Sequence, residues 1–423
     1  MSATADRPVL PQATPGIGRD WLRLRDDFPA LRRQVHGKPL VYLDNANTGQ
    51  RPEAVLAAME RYYRQYNANV SRAVHTLGTE ATEAYEGVRD RLAAFVNAPS
   101  RNEIIFTRGS TEAINLVAYS WGGANIQAGD AILVTGMEHH ANIVPWQLLC
   151  ERSGATLKVL PVLDSGELDL DALPALLTPE VKLFAFTHVS NALGTINPVV
   201  ELCRLARERG ITTLIDGSQA APHLRIDVQA IGCDFYAFTG HKMFGPTGTG
   251  VLWARHALLA AMPPFLSGGE MIREVDFAGT TFADPPHRFE AGTPNIAGVI
   301  GLGAAVDYIE ALGMEAIAAR EQALADYALS RLQAMPSLRL VGAGARERVP
   351  VFSFLVEGVQ AQDLATLIDL EGVAVRSGHH CAHPLMKRFG VSATCRASLA
   401  FYNQEGEVDQ LVNALERART LLA

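Results

Sequence analysis

The sequence predicts an α/β protein: a mainly parallel sheet wrapped by helices, followed by a smaller α/β C-terminal unit. Three observations carry this. Short apolar runs alternate with segments of helical period. Most runs give way to polar residues at their carboxyl ends, where ligands bind on an open parallel sheet. Two runs end in groups with chemistry: Ile211–Asp216, and Phe235–Phe238 just before Gly240-His241-Lys242. Most connections are expected to be parallel and right-handed.

In chain order, residues 1 to about 17 are rich in Pro and Ala and read as a loose tail. A short helix is expected over Asp20–Leu31 and a strand over Val41–Leu43, with Asp44-Asn45-Ala46-Asn47-Thr48 as a polar turn. Helical period covers Pro52–Tyr66 and Glu83–Val96; between them Asn69–Thr76 is irregular, and its Arg72 and His75 fit a surface or a site equally. Strands follow at Ile104–Thr107, Ala131–Thr135, Lys158–Leu160 and Leu183–Thr187, with helices at Leu170–Leu176 and Val199–Glu208. Beyond Gly250 the chain changes character, and the stretch from Ser267 to Pro286 is loop-rich. Helices are then expected at Ile296–Leu312, Ile317–Ala334, Leu364–Leu370 and Val408–Leu422, and strands at Val351–Val356, Val373–Val375 and Ser398–Phe401. This divides the chain into residues 1–37, a tail and helix packing with the small domain; 38–295, a large domain; and 296–423, a small domain.

Composition narrows the function. A chain of 423 residues suits two packed domains. Lys plus Arg is 37 against 45 Asp plus Glu, with no basic block, which argues against nucleic acid. No apolar run has the length of a membrane span, and the first residues lack a signal pattern, so a cytoplasmic location is expected. The five cysteines, Cys150, Cys203, Cys233, Cys381 and Cys395, form no C-x-x-C pair, which argues against a disulfide framework or a structural metal. Cys150, Cys203 and Cys233 read as buried apolar thiols. Cys381 differs: it follows Arg376-Ser377-Gly378-His379-His380, and polar, cationic surroundings raise the thiolate fraction of a thiol.

Candidate site residues gather at the strand ends. Asp216, Gln219 and Lys242 suit pyridoxal phosphate, with the lysine amine holding the aldehyde and the carboxylate keeping the ring nitrogen protonated. A strand end, a helix cap and a solvated lysine would look the same on spacing alone. Arg108-Gly109-Ser110-Thr111 opens a helix as an anion site would, or as an ordinary cap would. Of the adjacent His139 and His140, at most one is expected to face a site. Arg396 suits a substrate carboxylate or a surface ion pair.

Seven segments together carry a resemblance: MEHHANIVPWQ, HVSNALGT, DGSQAAPH, DFYAFTGHKMFGPTGTG, RFEAGTPN, RSGHHCAHPL and CRASLAFYN. From about Tyr42 onward they resemble the type II, SufS-like cysteine desulfurases of the class V aminotransferase superfamily. The resemblance implies the aspartate aminotransferase-like fold of pyridoxal phosphate-dependent transferases, and a homodimer with sites near the subunit interface. It matches Lys242 to the lysine that binds the cofactor, Asp216 to the partner of the ring nitrogen, Gln219 to a contact of the ring oxygen and His139 to the imidazole stacked on the ring. Thr111, Thr239 and His241 match phosphate contacts, and Thr293 a phosphate contact given by the other subunit. Asn191 and Arg396 match the groups on the substrate carboxylate, Arg72 and Arg376 arginines at the entrance, and Cys381 the nucleophile that becomes a persulfide. L-cysteine is the implied substrate, L-alanine the product, and a SufE- or SufU-like protein the acceptor that carries sulfur to iron–sulfur cluster assembly. Selenocysteine lyase and cysteine sulfinate desulfinase share the apparatus, and an inactive docking scaffold is the reading from another class. Ser71, Ala73, Asn47 and Gly49 depart from the family pattern. The few residues between Cys381 and Pro384 imply a short cysteine loop, with low turnover unless an acceptor is present.

Overall fold

The computed structural model describes residues 20–72 and 74–422. The expected N-terminal tail and Ala73 lie outside the described residues. A seven-stranded sheet forms the centre of the larger part. Its strands are β1 (Ile104–Thr107), β2 (Ala131–Thr135), β3 (Thr156–Leu160), β4 (Val181–Thr187), β5 (Thr212–Asp216), β6 (Phe235–Thr239) and β7 (Gly250–Ala254), in the spatial order β1-β7-β6-β5-β4-β2-β3. Strands β2 to β6 pair in parallel, and β7 runs antiparallel to both β1 and β6. All residues of β2, β5 to β7 and most of β4 are buried or nearly so, which is why they read as continuous apolar runs rather than alternating ones. β7 is not among the strands the sequence suggests, because its five residues sit between two glycine-rich segments.

A second, four-stranded antiparallel sheet holds β8 (Leu338–Leu340), β9 (Val351–Val356), β10 (Arg376–Gly378) and β11 (Thr394–Ser398), in the order β8-β9-β11-β10. Helices Met314–Gln333, Ala361–Asp369 and Glu405–Leu422 pack on it around Phe352, Phe354, Leu364 and Leu415. Residues Val41–Tyr42 cross to this part and pair in parallel with Val373–Ala374. The helix Thr76–Phe95 begins earlier than its apolar period, because His75 caps it by accepting from Gly78 N–H. The N-terminal helix is broken into one α turn, Trp21–Leu24, and two 3₁₀ turns that end at Arg32.

Ile296–Leu312, expected to open the small domain, is buried mainly against Glu53–Gln65 and Thr76–Phe95 and joins the core of the large sheet. Its apolar residues circle the whole helix, as burial on all sides requires. Among the described residues no single helix is long and apolar enough to cross a membrane. Only Ile296–Leu312 together with Met314–Gln333 passes that test, and the pair is bent by 76°.

Arg89 fixes the edge of the large sheet. It is 1% exposed and spends its donors on Glu290 at 2.8 and 2.9 Å, Glu86 at 3.1 Å, and the Ile104 carbonyl at 2.7 Å. Glu290 in turn accepts from Phe106 N–H at 2.7 Å. The guanidinium also lies over the Phe106 ring, 4.3 Å from its centroid. Removing one partner of such a set leaves buried charge unmatched. Arg89→Met is therefore expected to lower stability by about 3–5 kcal/mol, measured by urea unfolding.

Candidate active site

The carboxyl ends of β1, β2, β4, β5 and β6 open on one side of the sheet, and the cysteine-bearing segment of the smaller part faces them. Asp216 ends β5, and its Oδ1 accepts from Ser218 N–H at 3.0 Å, which turns the chain sharply into Gln219. The turn needs Gly217: a Cβ there would lie 2.1 Å from the Tyr236 ring. Thr239 ends β6, and a 3₁₀ turn, Gly240–Lys242, lifts His241 and Lys242 over the strand ends.

Two connected hollows meet at Lys242, His139 and Asn47. One, of about 690 Å³, is lined by Thr111, Thr239, His241 and the Gly109–Thr111 helix start. Free N–H groups at that helix start face the hollow, as an anion requires. Gly250 lets β7 come this close, since a Cβ on it would sit 2.4 Å from the Gly109 Cα. The other hollow, of about 330 Å³, is lined by Asn191, Arg376, Cys381, Arg396 and both His139 and His140. Both histidines reach the site, contrary to the single one expected, because His139 is the extended cap of the 3₁₀ turn His140–Asn142 and the pair does not lie on one regular element.

Lys242 is half-buried, and loss of water around its ammonium pulls its pKa down to about 8, against the opposing pull of Asp216. His139 is held down at about 4, chiefly by burial and then by Lys242. Its Nδ1 accepts from Ala141 N–H at 3.0 Å, which leaves Nε2 as the ring's N–H. Burial likewise holds His241 at about 4. Beside His139, Glu138 is fully enclosed and pushed up to about 8 by burial; it accepts from Thr135, Asn142 and Thr187 N–H at 2.5, 2.6 and 2.9 Å. Sequence reading placed no role on it, and its only signal was its position three residues after a buried strand.

The cysteine segment is clamped from both sides. His140 N–H donates to the Cys381 carbonyl at 2.7 Å, His383 N–H donates to His140 Nε2 at 3.1 Å, and Asn191 Nδ2 donates to the His380 carbonyl at 2.7 Å. His383 stacks between His140 and His379, at 5.2 and 3.7 Å between ring centroids. His380 and Cys381 both hold φ of 53°, a left-handed backbone that side chains of this kind rarely adopt. The Cys381 side chain remains exposed, while the other four cysteines are buried.

Arg396, central in β11 and 3% exposed, donates through Nη1 to the Asn191 carbonyl at 2.9 Å. Its Nε is buried without a partner, and so is Gln219 Oε1. Gln219 Nε2 donates to the Ala46 carbonyl at 2.5 Å. Asp44 accepts from Arg376 at 2.8 Å and from Arg396 at 3.4 Å, a pairing that its place in a polar turn gave no sign of. Thr293 and Arg72 are not brought to Lys242 within the chain. Thr293 is exposed on an adjoining hollow of about 340 Å³ beside Phe106 and Glu290, which shares Arg108, Glu112, Gly248 and Phe265 with the hollow at Thr111, and Arg72 is exposed before the helix at Thr76.

The Aminotransferase class-V family model matches residues 41–411. A probable cysteine desulfurase of Xylella fastidiosa (strain 9a5c) is 61% identical over 410 residues, covering 97% of this chain and 98% of that protein. A cysteine desulfurase of Escherichia coli (strain K12 / DH10B) is 51% identical over 401 residues, covering 95% and 98%. Among solved structures, the cysteine desulfurase CsdA of Escherichia coli in its S-sulfonic acid form superposes with a TM-score of 0.89 at 39% identity, covering 96% of this chain and all (100%) of that one. An apo cysteine desulfurase of Thermococcus onnurineus NA1 superposes with a TM-score of 0.87 at 38% identity, covering 93% and 98%. With the fold, the strand-end lysine and carboxylate, and likeness along nearly the whole length, the chain belongs to the class V aminotransferase family and, within it, to the cysteine desulfurases.

Proposed function

We propose that this chain converts L-cysteine to L-alanine, taking the sulfur onto Cys381 as a persulfide, with pyridoxal phosphate held at Lys242. One observation carries the reading. Lys242 sits where an anion-binding helix start on one side meets Cys381 and Arg396 on the other. The residues fit the cofactor: Gln219 Oε1 is buried without a partner, and the hollow by Gly109–Thr111 has the donors a phosphate needs.

When bound, the cofactor supplies an aldehyde that takes up an amino group and a ring that withdraws electrons from the substrate α-carbon. Asp216 would hold the proton on the ring nitrogen, Gln219 would meet the ring oxygen, and His139, neutral at pH 7, would face the ring. Thr111, Thr239 and His241 would hold the phosphate. Thr293 is assigned to the cleft of a second copy, which makes the working unit a homodimer; its position away from Lys242 supports this. Arg396 and Asn191 grip the substrate carboxylate, and Arg72 and Arg376 flank the entrance.

Lys242, with its pKa near 8, moves the α-proton. The Cys381 thiolate attacks the substrate sulfur, the carbon–sulfur bond breaks, and a sulfur–sulfur bond forms. The electron pair left on carbon takes a proton, so alanine and a persulfide result with no outside oxidant or reductant. The clamped loop and exposed thiol support hand-over to a SufE- or SufU-like protein at the surface, for iron–sulfur cluster assembly. Five unpaired thiols support a reducing, cytoplasmic setting.

The test is the visible spectrum of the purified protein with an alanine assay alongside. A bound-cofactor band that shifts on adding L-cysteine is expected, with alanine formation lost in Cys381→Ala while the band stays. A band with no alanine from cysteine would point to another substrate. In cofactor-free protein, small amine-selective reagents should label Lys242 increasingly as pH rises, with half-labelling near pH 8 rather than the ordinary 10.5, read by peptide mass spectrometry. Turnover should rise on adding a purified SufE-like acceptor; equal rates with and without it would remove the acceptor from this reading.

A further inference from the structure

The loop after β4 belongs to the large sheet by chain order and to the smaller sheet by its hydrogen bonds. Four consecutive carbonyls in it are taken by donors of the smaller part. Asn191 accepts from Arg396 Nη1 at 2.9 Å, Ala192 from Ser353 Oγ at 2.7 Å, Leu193 from Arg348 Nη2 at 2.7 Å and Gly194 from Val349 N–H at 2.9 Å. Two of these donors are neighbours, since Ser353 on β9 stands opposite Arg396 on β11. The loop turns back on itself to present the row. Leu193 N–H donates to Ser190 Oγ at 3.1 Å, and Gly194 holds a φ of 77°, where a Cβ would lie 2.7 Å from the Val349 carbonyl.

Arg348 and Ser353 stand behind the hollow at Cys381 rather than on its wall. They are 6% and 1% exposed. Arg348 also donates to the Ala343 carbonyl at 3.2 Å and the Val351 carbonyl at 3.1 Å. Burial pulls its pKa down to about 10, and among the described residues no carboxylate offsets that. A buried charge without a counter-ion is costly; this one is spent on backbone oxygens that hold the loop. At the front of the row, Asn191 Nδ2 donates to the His380 carbonyl at 2.7 Å, and the amide keeps a second N–H for the hollow.

We propose that Ser353 and Arg348 are positioning residues for substrate recognition. By holding the Ala192 and Leu193 carbonyls on the smaller sheet, they fix Asn191 beside Arg396 as one preset clamp for the substrate α-carboxylate. This rests on the carboxylate role given to Asn191 and Arg396. Preset donors need less ordering on binding, so loosening the loop weakens ligands that carry the carboxylate and spares those that lack it.

The experiment compares holoenzyme of wild type, S353A and R348M. The shift of the bound-cofactor band is titrated with L-alanine and with ethylamine, its counterpart without the carboxylate. Each variant is expected to weaken L-alanine by about threefold to tenfold, the worth of one hydrogen bond, and to leave ethylamine unchanged. With L-cysteine, KM should rise by a larger factor than kcat falls. S353A removes a single hydroxyl, so its arm stands even where R348M fails to fold. An L-alanine-to-ethylamine ratio unchanged in either folded variant, or both probes weakened alike, would overturn the proposal. A wild type that binds the two probes equally would instead remove the carboxylate role of Asn191 and Arg396, and this inference with it.

Discussion

The turn from Asp44 to Gly49 is the seam on which the site depends. It enters from the strand Val41–Tyr42, paired to the smaller part, and bridges to Ser398 of β11. Asn45 donates to the Ser398 carbonyl at 2.8 Å, and Ala46 N–H donates to Ser398 Oγ at 2.9 Å. The same turn meets the large sheet: the Ala46 carbonyl takes Gln219, and Thr48 Oγ1 and Gly49 N–H donate to the His241 carbonyl at 3.1 and 3.0 Å. A few backbone groups therefore register the cysteine-bearing sheet against the lysine-bearing one. Shared hydrogen bonds of this kind are costly to leave unmade when buried, and that cost keeps the two sheets aligned.

Charge in the cleft is sorted by burial. His139, His241 and His380 are all held well below their ordinary range, at about 4, 4 and 3, with desolvation as the first cause. They are neutral at pH 7. Apart from Lys242, permanent positive charge on the substrate side is left to Arg376 and Arg396, and Asp44 offsets part of it. Around Cys381, His140, His383 and His379 stack in a row, and His140 Nε2 accepts from His383 N–H. Two cations, Lys242 and Arg396, feel Cys381 across the hollow.

Much of the large sheet was legible because buried parallel strands are apolar throughout, and Ile104–Thr107 and Ala131–Thr135 have the bounds their sequence suggests. Asp216 and Lys242 stood out because one ends such a strand and the other closely follows one; Thr239 and His241 entered only through the family resemblance. Less legible were features set by contacts far apart in the chain. Asp44 reads as turn chemistry, since nothing local announces partners at Arg376 and Arg396. Ile296–Leu312 reads as the start of a new unit, since an all-apolar helix does not say which core it enters. The hairpin Ile272–Asp276 with Gly279–Phe282 is exposed along most of its length and carries little apolar signal. His140 was discounted because adjacent residues diverge on regular elements, a rule that a 3₁₀ turn suspends.

The antiparallel strand β7 has a consequence for the order in which the molecule forms. Among the described residues β1 sits at the edge of the large sheet with β7 as its one strand partner, and Thr107 is opposite Gly250. The helix start at Gly109–Thr111 hangs from the end of β1. While the chain emerges from the ribosome, β2 to β6 can pair among themselves, but β1 waits unpaired for a partner far down the sequence. Closing so long a loop is entropically slow, and contacts of this span characterise slow folders. The Gly109–Thr111 end of the cleft is thus among the last parts of the sheet to assemble, and the nascent chain cannot complete the cleft until β7 has been made.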